Sequence, residues 1–120
     1  MGLEIVANRH GLIPGTILAG GTVTAEIDLN GWGIAGLMAL DSMTLGTLTF
    51  QVAEKAQADG GAYVFLRDES TPNNNYSIGP ISGQFALSGV KLAPLIPYRY
   101  CKIIVSSAAS GLRLALPVKA

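Results

Sequence analysis

The chain carries one histidine and one cysteine, so any chemistry must be built from few parts. His10 lies between Arg9 and Gly11, outside any alternating segment. A zinc site needs several nitrogen, sulfur or carboxylate ligands at short spacing, and Cys101 is far along the chain. As a general base, His10 would need a nucleophile beside it and an acid to orient it. Neither is adjacent, and His10 reads as a surface or interface residue. Cys101 falls in an apolar run from Tyr100 to Val105 and reads as a small buried hydrophobe. A reactive thiol needs exposure and a cationic neighbourhood, and Arg99 and Lys102 alone do not supply that. A single cysteine forms no internal disulfide.

The carboxylates are no more suggestive. Asp59, Asp68 and Glu69 lie at turns, and loop carboxylates can hold calcium. The spacing matches no calcium loop, and Asp59-Gly60 is accounted for by turn chemistry. Glu26, Asp28, Asp41 and Glu54 would be the candidates for a glycosidase pair. Yet Glu26 and Asp28 alternate with apolar residues on what reads as a solvent face. Gly20-Gly21 and Gly60-Gly61 lack the lysine and following helix of a phosphate loop. Asn75-Tyr76-Ser77 matches a glycosylation sequon, but no secretory signal is visible at Met1–Ile5. Gly2 lacks the Ser or Thr at position 6 that myristoylation wants. The residues predict no catalytic set, no cofactor and no metal, hence a non-enzyme.

Strands must position whatever remains. From Thr22 to Leu29 the pattern alternates, with Val23, Ala25, Ile27 and Leu29 inward and Thr22, Thr24, Glu26 and Asp28 outward. Asn30-Gly31 is a strong hairpin signal. The next strand, Trp32 to Leu40, is apolar on both faces, which predicts burial on both faces. Leu45 to Ala53 alternates again, with Leu48, Phe50 and Val52 inward. Ala62 to Asp68, Tyr76 to Ile78, Gln84 to Leu87, Arg99 to Ser106 and Leu112 to Val118 complete about eight short strands. Val90 to Ala93 has room for one helical turn, and Pro117 suggests an edge or a strand end. The fold class predicted is all-β: a single antiparallel β-sandwich of jelly-roll or Greek-key type. Residues 1–21, with Pro14 and five glycines, read as an irregular N-terminal arm, and 22–120 as the sandwich domain.

Composition points to association. Hydrophobic residues make up 49% and charged residues 13%, with eight cations balancing eight anions. A zero net charge with no basic run excludes an electrostatic case for nucleic acid or an anionic membrane surface. The apolar stretch Gly31 to Leu40 is too short to span a bilayer. Few charges and an apolar surface favour self-association. The residues expected at interfaces are Leu3, Ile5, Leu12, Ile13 and Ile17 of the arm, with Trp32 and Leu37 of the doubly apolar strand.

Three segments carry a family likeness. They are Leu45 to Glu54 (LGTLTFQVAE), Ala62 to Asp68 (AYVFLRD), and Leu92-Ala93-Pro94 leading into Tyr98 to Val105 (YRYCKIIV). They resemble a group of short proteins encoded beside the major capsid protein in tailed bacteriophages. The likeness covers the chain from Trp32 onward and little of the first 20 residues. It implies a virion component, most directly a capsid decoration or cement protein. Such a protein would bridge major capsid proteins on the capsid exterior, as a trimer, after synthesis in the host cytoplasm. A carbohydrate-binding or receptor-binding module of a fibre or tail is the alternative. That reading would need an exposed aromatic platform drawn from Trp32, Tyr63, Phe65, Tyr76, Tyr98 and Tyr100.

Overall fold

The computed structural model describes residues 10–29, 33–106 and 111–119. Among them eight strands form one antiparallel sheet, in the all-β architecture the alternation predicts. They are β1 (His10–Ile17), β2 (Ile27–Asp28), β3 (Gly33–Ile34), β4 (Gly36–Ala53), β5 (Val64–Phe65), β6 (Ser77–Ser88), β7 (Tyr100–Val105) and β8 (Leu112–Lys119).

The pairing registers resolve these strands into four long ribbons. β7 and β8 follow one another along a single ribbon. On one of its edges, β8 pairs with β1 from His10↔Lys119 to Ile17↔Leu112, and β7 pairs with β2 at Ile27↔Cys101. On the other edge, β8 meets β3 and the start of β4, and β7 meets the end of β4 from Leu48↔Val105 to Ala53↔Tyr100. β6 covers the far edge of β4 from Gly36↔Ser88 to Thr49↔Ser77, and β5 continues that edge at Gln51↔Phe65. One continuous sheet therefore supplies both layers of the molecule by folding over. Two separate sheets would each have needed their own strands.

The fold line crosses every ribbon at about the same height. It passes residues 18–21, Ser106 and Gly111, then 41–46 of β4, then 79–83 of β6. Along β4 the register against β6 shifts between Ala39 and Met43, Met43 and Gly46, and Gly46 and Leu48. Such bulges bend a strand. Gly46 sits where the ribbons come closest: a Cβ there would collide with Ser106 Oγ. That oxygen accepts the Thr47 N–H at 3.0 Å, and the Ser106 N–H donates to the Thr47 carbonyl at 3.1 Å. Gly79 next door has φ of 119°, a region closed to ordinary side chains.

Folding over buries one face of the sheet against itself. Ile17, Leu37, Leu114, Leu116 and Val118 come from one layer, and Ile27, Leu48, Phe50, Ile103 and Val105 from the other, in a single core. The alternation read at Leu48, Phe50 and Val52 and at Leu112, Leu114, Leu116 and Val118 is the alternation observed. The helical turn around Val90–Ala93 is a 3-10 segment, Gly89–Leu95, whose Leu92 and Leu95 close the core.

Several expectations need correction. Within the expected irregular arm, His10–Ile17 is a strand, because its backbone completes the open edge of β8 and Ile17 joins the core. Residues 1–9 lie outside the described residues, as do Asn30-Gly31 and Trp32. The two strands expected at 32–40 and 45–53 are one long strand, β4, and those at 76–78 and 84–87 are one strand, β6. The inward set expected at 22–29 is also wrong at its start. Val23 pairs with Ile104 and Ile27 with Cys101, four residues spanning three, so a bulge intervenes. Thr24 turns inward and its hydroxyl accepts the Ile103 N–H at 3.0 Å, while Val23 is exposed. Between Ile34 and Met38 the same slip recurs against β8, from Val118 to Ala115. It turns Leu37 and Ala39 inward and leaves Met38 and Leu40 outside. Pro117 is not at an edge, since β8 has neighbours on both sides. Its carbonyl accepts the Ala35 N–H at 2.8 Å, so its missing N–H faces the bulge, where no partner is lost.

The fold line yields a testable consequence. Gly46→Ala must push Ser106 Oγ away and break its bond to the Thr47 N–H. The expected cost is about 1–3 kcal/mol of unfolding free energy, measured by urea denaturation. In a Ser106→Ala background the same substitution should cost clearly less, because the colliding atom is gone. Equal costs in both backgrounds would contradict this packing.

Candidate functional site

The outward faces of the two layers differ. On the layer built from β2, β7 and the end of β4, the segment 54–63 is bound down by one carboxylate. Glu26 accepts the Gln57 N–H at 2.7 Å and the Tyr63 hydroxyl. Lys102 Nζ lies 4.5 Å above the Tyr63 ring and donates to Gln57 Oε1 at 3.0 Å. Burial first, and then the Glu26 carboxylate, raise the Tyr63 phenol well above its ordinary value. Asp28 pairs with Arg99 at 3.3 Å, and Arg99 stacks over Tyr100. Glu26 and Asp28, read from sequence as free solvent charges, are thus committed to structure.

The outward face of the other layer, the bare face, is apolar at its centre, where Ala115 is buried by its neighbours, with exposed Thr16, Gln84 and Ser88 toward its margins. Cross-strand pairing sets Pro14, Ala115, Met38 and Ala86 in one row across β1, β8, β4 and β6. Leu12 stands beside Pro117 in the next row, and Leu40 lies beyond Met38. Leu12 is 62% exposed, Met38 38% and Leu40 39%. The charges on this face are marginal. Arg113 is held by Asp41 through two guanidinium bonds of 2.8 and 3.0 Å, and Lys119 sits at the far end. Those bonds hold the Asp41 carboxyl below the usual carboxylate range. The centre of the face carries no charge.

The residues expected at interfaces separate accordingly. Leu12 is on the bare face. Ile13 is half-buried against the core. Ile17 and Leu37 are fully buried within this chain, so they cannot also touch a partner. Leu3, Ile5 and Trp32 lie outside the described residues. Met38 and Leu40 were not singled out, because only the bulge at Ile34–Met38 decides which side of β4 they take; nor were Pro14 and Pro117, whose side follows from the register of β1 on β8.

A second feature is a cleft of about 800 Å³ between the β5 region and the segment after the 3-10 turn. Phe65, Tyr76 and Tyr98 converge on it, with Pro72, Pro94 and Pro97 in its walls and Arg67, Asp68 and Glu69 at its lip. The Tyr76 ring packs on Phe50, centroids 6.3 Å apart, and its hydroxyl donates to the Lys91 carbonyl at 2.6 Å. That bond ties the two walls together. Of the aromatic set read from sequence, Tyr63 and Tyr100 belong to the charged network instead.

Among the described residues no group of three or more His, Cys, Asp or Glu side chains could hold a metal ion. No helix among them is long and apolar enough to cross a membrane. Cys101 is fully buried in β7, and burial pushes its thiol up to about 12.

No protein-family model matches the chain, and no curated protein matches it. Among solved structures, the crystal structure of SPBc2 prophage-derived protein YomS superposes with a TM-score of 0.48 at 11% identity. The match covers 93% of this chain and 96% of that one. A likeness of that size assigns no role.

The buried thiol predicts an alkaline limit. In the unfolded chain a cysteine ionises at about 8.5, so the unfolded state loses its proton first as pH rises. The contribution of Cys101 is intact below that value and is lost as pH climbs toward about 12. Unfolding free energy should fall by up to about 1.4 kcal/mol per pH unit in this window on account of Cys101. Cys101→Ala should remove that part of the slope. Parallel pH profiles for the two proteins in urea titrations would contradict it.

Proposed function

We propose that this chain is a non-enzymatic structural protein of a tailed-bacteriophage virion. It decorates the exterior of the head and bridges major capsid proteins as a homotrimer. Three things support the reading. The family likeness over Leu45–Glu54, Ala62–Asp68 and Tyr98–Val105 points to proteins of that setting. The balanced, sparse charge favours association over solvation. The observation that carries it is the bare face: a four-strand surface with Leu12, Pro14, Met38 and Leu40 exposed, Pro117 half-buried among them, and no charge at its centre. Contiguous exposed apolar surface on a soluble domain marks a binding surface, and charge depletion at the centre is the compositional mark of an interface core.

The mechanism is mass action. A subunit that binds only the assembled shell, across neighbouring capsid proteins, lowers the free energy of the shell relative to its parts. It needs no chemistry, only complementary area and rigidity. The folded-over sheet supplies rigidity, because the opposite face of β4 and β8 is the core itself.

Met38→Lys tests this directly. The side chain stands between Ala115 and Ala86 on an exposed strand face, so the fold should persist with an unchanged circular dichroism spectrum. Co-sedimentation with empty capsids should weaken by about tenfold or more, as for a buried charge at an interface centre. Leu45→Lys, exposed at the fold line away from the face, should bind as the unaltered protein does. Light scattering at micromolar concentration should report a trimer. Full attachment by Met38→Lys, or a stable monomer, would contradict the proposal.

A further inference from the structure

The cleft shares no lining residue with the bare face, so it is available while that face is covered. Its construction is that of a small-ligand site: about 800 Å³, within the range such sites occupy, mostly apolar, with a few polar groups at one side. The walls are preorganised. Prolines have one backbone torsion fixed, and Tyr76 is clamped between Phe50 and the Lys91 carbonyl. The loop 67–75 is tied by the Asp68 N–H to the Asn74 carbonyl at 2.9 Å and by the Asn74 N–H to the Thr71 carbonyl at 2.8 Å. Little ordering remains to be done on binding.

The lip retains unused hydrogen-bonding capacity. Asp68 Oδ1 accepts the Ser70 N–H at 2.9 Å, and its Oδ2 has no partner among the described residues. Arg67 uses Nη1 on the Asn73 carbonyl at 3.2 Å, and its Nη2 and Nε have no partner among the described residues. Glu69 has no partner among the described residues. Phe65 is 39% exposed in the wall beside them.

Those features select among ligand classes. Arg67 stands beside Asp68 and Glu69, so the lip carries both signs and favours neither a polyanion nor a polycation. A peptide adding as a strand would need an open strand edge for its backbone, and the strand at this cleft, β5, is only Val64–Phe65; a polyproline segment has no prolyl N–H to donate to Asp68 and Glu69. What remains is a molecule with an apolar flat face and a rim of neutral hydroxyls. Such hydroxyls donate to carboxylates and accept from a guanidinium. We propose that this cleft binds a short, uncharged oligosaccharide, one pyranose ring lying on Phe65 and its hydroxyls meeting Asp68, Glu69 and Arg67.

The test is saturation-transfer NMR and titration calorimetry of the full chain with maltotetraose, cellotetraose, chitotetraose and galactotetraose, and with a proline-rich peptide. At least one saccharide should bind saturably at about 10 mM, as a dissociation constant of about 1 mM allows. Phe65→Ala and Glu69→Gln should each weaken that binding by about tenfold. Both variants should keep the unaltered circular dichroism spectrum and capsid attachment, which separates this outcome from the fate of the bare face. Saturable binding of none of the four would overturn the proposal. So would saccharide binding indifferent to both substitutions, or binding of the peptide alone.

Discussion

The structure depends on one constraint: a single hydrogen-bonded sheet has to bend along one line so that its apolar face closes on itself. Pairing links β1, β8, β4 and β6 in one layer and β2, β7 and the end of β4 in the other, and β4 and β6 pass through both, so neither can bend unless its neighbour bends beside it. That places Ser106 against Gly46, and Gly79 against the Gly46 carbonyl. The bulges of β4 and the slip at Thr24–Ile27 follow from the same demand. They take up the extra residues that bending leaves over, and they decide which side chains point inward on each half.

The bend also explains why the two outer faces differ. Where 54–63 crosses β2 and β7, Glu26 supplies the anchor and a charged network occupies that face, with Val23 and Val64 exposed beside it. The opposite layer has no such cover among the described residues. Leu12, Met38 and Leu40 stay in water, beside a core already completed on their other side. An apolar surface that the chain does not need for its own folding is available for association, and with no charge at its centre a partner surface covers it without burying an unpaired charge. The cleft has a different character, with rigid aromatic and proline walls and a polar lip suited to a small amphipathic ligand.

Much of the fold was legible because alternation is a local signal. Leu112, Leu114, Leu116 and Val118 declare one buried face whatever their partners are, and Leu48, Phe50 and Val52 do the same. The continuity of β4 and β6 was not legible. Asp41-Ser42, Gly46, Gly79-Pro80 and Gly83 look like strand ends, and only pairing across the sheet shows that they are bends within strands. The inward turn of Thr24 and the outward turn of Met38 depend on bulges set by β7 and β8, which are distant in sequence. Ile17 and Leu37 illustrate the limit for interfaces: apolar type alone does not separate a core residue from a contact residue. The assembly of Phe65, Tyr76 and Tyr98 into one cleft is equally non-local, since it requires the 3-10 segment to bring Tyr98 beside β5.

The central claim, that the bare face is the one buried in the particle, is tested most directly by oxidative footprinting of the methionines. Met38 lies on that face and Met43 is buried in the core, so one chain carries both probe and control. In the free protein Met38 should oxidise readily and Met43 slowly. On capsids, Met38 should fall to a rate near that of Met43, while Met43 stays unchanged. Met38 oxidising at its free rate in protein attached to capsids would contradict the account.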